Sequence, residues 1–317
     1  MFIAQSVLHS FIILIIIEIT FYSWEIGDHL TKFRYRLLVL ALPIFTFPFY
    51  QMITPDRGSM YFRENIAIFN INRWLAIKIW EIIPVHFLFF ALLFMTSLIF
   101  FLQEILPIMR EKIPAPDFQT ITSHKDINAI IGGLCEKLNT PKPSVQIIDE
   151  VYPILFTAGI KNHTILLSRG LLDKLTDDEL ESALAHEIVH IGKGSNIKTQ
   201  IIYILRMLMF YNPVSLIEFR RLVQDDEFIC DNITVSVTKK PDALTSALKV
   251  FYSHPKEDKA SKISVAKDII ESHSHNLLLK ERILKIEEKG IGDNPKFGWG
   301  KYILIIIIIL KINYMVV

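Results

Sequence analysis

The chain has 317 residues, 51% of them hydrophobic and 11% aromatic, and its mean hydropathy of +0.36 is too high for an ordinary water-soluble domain of this length, so the composition points to a membrane protein. With 34 Lys+Arg against 33 Asp+Glu the net charge is +1, which leaves no basic surplus for nucleic acid. Two cysteines, Cys135 and Cys230, are too few and too far apart for a disulfide framework or a thiolate metal knuckle, and a reducing compartment is compatible with them.

A helix that crosses the hydrocarbon layer needs roughly 20 mostly apolar residues. The first candidate, Ser6 to Trp24, has Glu18 as its only charge, and the opening "MFIAQSVLHS" lacks the basic start of a cleaved signal peptide. Glu18 is either a functional intramembrane carboxylate or a side chain that snorkels to an interface. The second span, Leu37 to Ile53, contains Pro43 and Pro48, which a bundle tolerates when neighbouring helices satisfy the freed carbonyls. The third, Ile82 to Leu102, carries no charge. Basic residues in the first loop (Lys32, Arg34, Arg36) and the second (Arg57, Arg63, Arg73, Lys78) nearly balance, so charge alone sets no sidedness.

Residues 111–300 change to a mixed, charged, globular pattern, opened by the proline-marked "REKIPAPD". A helix is expected around Asp126 to Leu138, then two or three short strands in "SVQIIDEVYPILFTAGIKNHTILLSRGLL". "LTDDELESALAHEIVHIG" follows with a helix start: Thr176 and Glu179 form a capping box, Asp177 and Asp178 face the positive end of the dipole, and Leu180, Ala183, Leu184 and Ile188 recur at helical spacing. The apolar stretch Ile201 to Phe219, broken by Arg206 and Pro213, reads as a helix along the bilayer or over the polar domain. The last hydrophobic run, Tyr302 to Val317, is interrupted by Lys311 and is short for a full crossing.

On the capped helix His186 and His190 stand four apart, so both imidazoles leave one face and can reach one ion. Glu187, one residue round, sits beside such an ion without ligating it, where it can take a proton from the water and pass it to a leaving amine. A third protein ligand is required. "RRLVQDDEFICDNITV" offers Glu227 and Asp231, four apart in a helical stretch, the first to ligate zinc and the second to hydrogen-bond a ligand histidine. An acidic pair on a helix is otherwise a solvated face.

"HEIVHIG" at 186 to 192, followed by "FYNPVSLIEFRRLVQDDEFICD", resembles the membrane-embedded glutamate-zincin peptidases, in which an HExxH helix is completed by a glutamate from an ExxxD helix. The Phe210-Tyr211-Asn212-Pro213 element and the double Arg are closer to the BlaR/MecR branch, the penicillin-sensing antirepressor peptidases, and the span order is also similar to that branch. "ILLSRGLLDKLTDDELESALAHE" is shared in character with the sister HtpX and CAAX-type proteases. The likeness implies His186, His190 and Glu227 as Zn2+ ligands, Glu187 as base, Asp231 as the orienting aspartate, and an edge strand at about Leu155 to Ile160 that pairs with substrate backbone. In the HtpX group a histidine precedes an "eRI" element. "HSHNLLLKERI" offers His273 or His275 before Arg282, and His275 is taken as donor to the oxyanion. The run Gly192-Lys193-Gly194-Ser195-Asn196 departs from the acidic or polar pattern of both groups and leaves the ordering of the helix end open.

The expectation is therefore an α+β membrane protein, a helical transmembrane bundle plus a mainly helical zincin-type catalytic domain with a small sheet. Residues 1–110 would form the three-span region, 111–300 the metallopeptidase domain and 301–317 a C-terminal transmembrane segment. The expected activity is that of a multi-pass membrane metalloendopeptidase, with its catalytic domain cytoplasmic by resemblance. Its substrates would be proteins or peptides beside membrane lipid, with a transcriptional repressor as a substrate or a separate sensor protein as a partner. The alternatives are an HtpX-like quality-control protease and a non-catalytic signalling scaffold with a structural zinc site, for which Glu187 would have no use.

Overall fold

The computed structural model describes residues 2–106, 127–159, 162–252, 279–287 and 297–317. The labelled helices are α1 (Phe2–Ser23), α2 (His29–Ile53), α3 (Val85–Phe100), α4 (Ile127–Leu138), α5 (Asp177–Lys193), α6 (Ser195–Leu208), α7 (Pro213–Thr238), α8 (Pro241–Tyr252) and α9 (Trp299–Tyr314). Three strands, β1 (Ser144–Ile148), β2 (Leu155–Ala158) and β3 (Thr164–Ser168), form the larger sheet. The chain divides into two compact units, one of Met1–Gln103, Ile201–Asp225 and Asn294–Val317, the other of Glu104–Gln200 and Asp226–Asp293. The molecule is an α+β membrane protein, mostly helical with small sheets.

In the first unit α1, α2 and α3, the last continued by a π-helical turn to Ile105, are long and apolar enough to cross a bilayer. Helix α2 begins at His29 rather than Leu37 because the Asp28 carboxylate accepts the Thr31 N–H at 2.7 Å, which satisfies a first-turn donor. Helix α9 has 16 residues, roughly 24 Å at 1.5 Å per residue. Its Ile305 and Ile309 pack with Ile13, Ile17, Leu38 and Val39. Carbonyls at a helix end lack partners within the helix, and buried Arg57 supplies donors to Tyr314 O at 2.8 Å and Asn313 O at 2.9 Å.

The same unit gives Glu18 a partner, since the Arg221 guanidinium donates to Glu18 at 2.9 Å and to buried Glu218 at 2.8 Å. His29, which has no partner pattern in the sequence, contacts Asp225 at 2.7 Å. The segment expected as one helix over Ile201 to Phe219 is two helices. Arg206 closes the first by donating to Phe210 O at 3.3 Å, and Pro213 opens the second, where its missing N–H costs nothing.

In the second unit β1 runs parallel to β3 and β2 runs antiparallel to it, in the order β1-β3-β2. Strand β2 is thus one of the sheet's two outer strands among the described residues, β1 being the other; Ile160 lies outside the described residues. The fully buried Ile131, Leu134, Ile165, Leu167, Leu171, Leu180, Leu184 and Ile188 fuse α4, the sheet and α5 into one core. Each such side chain contributes about 1.5–3 kcal/mol through removal from water. The apolar stripe expected on α5 is the face that enters this core.

Candidate metal centre

Helix α5 is set at both ends by its own residues. Thr176 Oγ1 accepts the Glu179 N–H at 3.4 Å, and Glu179 Oε2 accepts the Thr176 N–H at 2.8 Å, so the expected capping box is complete. At the other end Gly194 takes the left-handed conformation (φ 63) and returns its N–H to the last turn. A glycine reaches that region without steric cost, so the unusual Gly-Lys-Gly run is a helix stop. Helix α7 carries Glu227 and Asp231 on one face, four residues apart.

The structure brings together five of the six site residues expected from the sequence. His186 Nε2 and His190 Nε2 are 3.0 Å apart, Glu227 Oε2 is 3.4 Å from His186 Nε2, and Glu227 Oε1 is 3.4 Å from His190 Nε2. These three residues form a group able to hold a metal ion. Ligands about 2.0–2.1 Å from zinc at tetrahedral angles stand roughly 3.3 Å from one another, so the donor spacing and the two-imidazole, one-carboxylate set both fit. Asp231 Oδ1 lies 3.1 Å from His186 Nδ1, off the line of a good hydrogen bond but close enough to set the ring's charge. Glu187 is buried beside the pair and accepts a hydrogen bond from the Thr157 hydroxyl at 2.8 Å. His275, the sixth, lies outside the described residues, as does His273.

Arg282, in the helical residues 279–287, is the partner that the acidic pair requires and that sequence reading missed. Its Nε and Nη2 donate to the two oxygens of Asp231, both at 2.7 Å, and its Nη1 stands 2.8 Å from Glu227 Oε2. Its Nη2 also approaches His186 Nε2 at 3.3 Å. The guanidinium is 3% exposed, so these are buried, forked, charge-assisted contacts. The missed signal was energetic. Two carboxylates four apart on a helix that enters a core demand a cation, and "ERI" offered one.

The electrostatics follow from burial and this charge cluster. Burial pulls the His186 imidazole down, but its close contacts with the Asp231 and Glu227 carboxylates more than reverse this and raise its pKa to about 9. His190 is held low, chiefly by burial. Burial works against ionised Glu227, yet Arg282 above all keeps its carboxyl well below the usual range, and Asp231 is depressed in the same way.

A second cluster adjoins the first. Cys230 Sγ is 3.6 Å from His190 Nδ1, and Lys193 Nζ lies 2.9 Å from Asp226 Oδ1 and 3.5 Å from Cys230 Sγ. His190, Asp226 and Cys230 could by spacing hold an ion, but the Lys193 ammonium already supplies their positive charge. Burial pushes the Cys230 thiol well up, which keeps it protonated and unreactive.

Comparison with known proteins shows what this part of the chain is similar to. The profile described as Peptidase family M48 matches residues 121–268. A Protease HtpX homolog of Bacteroides fragilis (strain YCH46) is 34% identical over 89 residues, 27% of this chain and 27% of that protein. Protease HtpX of Legionella pneumophila subsp. pneumophila is 39% identical over 67 residues, 20% of this chain and 24% of that protein. A Protease HtpX homolog of Sulfurovum sp. (strain NBC37-1) is 27% identical over 150 residues, 38% of this chain and 54% of that protein. The chain spans from about a quarter to about half the length of these curated relatives. The matched segment contains both histidines, Glu187, Glu227 and Asp231, and over that segment the chain is similar to Peptidase family M48 and to proteases of the HtpX kind.

Proposed function

We propose that this chain is an integral membrane zinc-dependent endopeptidase. His186, His190 and Glu227 would hold the zinc, and the reading is carried by the convergence of these donors from α5 and α7 at mutual distances of 3.0–3.4 Å. Zinc, when bound, would polarise the scissile carbonyl and make its water acidic near neutral pH. Glu187 takes the proton of the attacking water and delivers it to the leaving amine. Asp231, anchored by Arg282, fixes the ring of His186. His275 is assigned as a donor to the oxyanion on the resemblance alone. Strand β2, passing beside Glu187, is suited to align an extended peptide along the site. The residues 111–300 would face the cytosol of a multi-pass protein in the cell membrane, with 301–317 embedded in the bilayer.

Two biological roles fit this chemistry. The Asn212-Pro213 element and the span order favour the BlaR/MecR branch, with regulatory proteolysis of a transcriptional repressor and a separate sensor as partner. The relatives named HtpX favour protein quality control in the membrane. Comparing the proteomes of cells with and without the active enzyme separates one cleaved repressor from many accumulated membrane proteins. For the chemistry itself, protein purified in detergent should hydrolyse casein, lose that activity to a zinc chelator and regain it with added zinc. Hydrolysis that survives complete metal removal would contradict the reading.

A further inference from the structure

We infer that Thr157 is a positioning residue for Glu187, an assignment that rests on the peptidase reading above and adds a residue to its machinery. The Thr157 hydroxyl donates to Glu187 Oε2 at 2.8 Å. The contact is a product of register. Strand β2 pairs antiparallel with β3, Thr157 opposite Ile165, and successive side chains of a strand leave opposite faces. Phe156 and Ala158 pack with Ile148, Ile154 and Leu166. Leu155, on the other face, joins the core that contains Leu184 and Ile188 of α5. Thr157 is the next position on that face and meets the turn of α5 that carries Glu187. A slip of one residue would bring Phe156 or Ala158 there, and neither can donate a hydrogen bond.

A carboxylate bond to its chain rotates over a broad, shallow profile. Glu187 is 9% exposed, so water does little to hold its plane, and a charge-assisted bond from a hydroxyl on a strand does. With Oε2 held by Thr157, the plane of the carboxylate is set, and its other oxygen would take the proton of the attacking water. One proton of that water goes to the carboxylate as its oxygen bonds to the carbonyl carbon and the π pair moves onto the carbonyl oxygen; the pair returns to re-form C=O as the C–N bond breaks and the carboxyl passes its proton to the leaving nitrogen. The Thr157 proton remains on Thr157 throughout. Because β2 is also an edge strand of the sheet, one element would align both the substrate and the base.

The test is steady-state casein-peptide hydrolysis by the full chain in detergent, with zinc content measured in parallel. Thr157→Val, which keeps the shape and removes the hydroxyl, should lower kcat by about 10- to 100-fold through misplacement of the base, with KM and zinc content as in wild type. Thr157→Ala provides the same deletion should the valine variant fold poorly, and Thr157→Ser should recover most of kcat. Wild-type kcat in both the valine and alanine variants would overturn the inference. So would a serine variant as slow as valine, or a change confined to KM or zinc content. Glu187→Gln in the same assay keeps the two claims apart. If it is inactive while Thr157→Val is fully active, the Thr157 assignment alone falls; if it is active, the peptidase reading itself falls.

Discussion

Glu187→Gln should abolish peptide hydrolysis while zinc binding and the fold persist. The amide has the shape of the carboxylate and can still accept a hydrogen bond from Thr157, so α5 and its two histidines keep their places. What it cannot do is take a proton from water. General acid–base catalysis by one positioned group is worth about 10²- to 10⁴-fold, and in the proposed mechanism Glu187 would serve twice in each turnover, once as base and once as acid. The loss should therefore lie at the upper end of that range and appear in kcat rather than KM. Casein turnover measured beside zinc content checks both halves of the expectation, and a variant with full activity would remove Glu187 from its role.

Arg282→Ala should strongly destabilise the unit that contains the site. The guanidinium holds Asp231 with two bonds and Glu227 with a third contact, all with little access to solvent. Deleting it leaves Asp231 and Glu227 with only the His186 imidazole between them, and breaking a buried ion pair costs about 3–5 kcal/mol. The pH dependence has a definite sign. Both carboxyls are depressed in the folded chain, so in wild type they contribute stability that is present above their unfolded pKa values of about 4 and lost as pH falls through the folded values. Without Arg282 they rise instead, and the variant gains by taking up protons. The gap between wild type and variant should be widest near neutral pH and narrow below about pH 4. Urea unfolding of chelator-treated protein at the two pH values measures it, and an equal, small loss at both would contradict the network.

Much of this architecture could be read from the chain because the signals are local. The capping box of α5 lies within four residues, the histidine pair within one helical turn and the acidic pair of α7 within another. The spans are long uniform runs, which survive any detail of packing. What escaped is what local pattern does not encode. Arg282 meets His186 across 96 positions, and no periodicity connects them. Thr157 sits in an apolar strand whose register only pairing with β3 decides. The stretch between α2 and α3 folds into helices as short as Ile71–Leu75, too brief to show a period of 3.6. The grouping of Ile201–Asp225 with the spans likewise reflects packing partners rather than composition.

The convergence of two imidazoles and a distant carboxylate on one divalent ion is tested most directly by the zinc content of purified wild type beside Glu227→Ala, each dialysed against trace zinc. Stoichiometric zinc in wild type and its loss in a Glu227→Ala protein that still melts cooperatively is the predicted result. Equal zinc in the two proteins, or none in either, would contradict it.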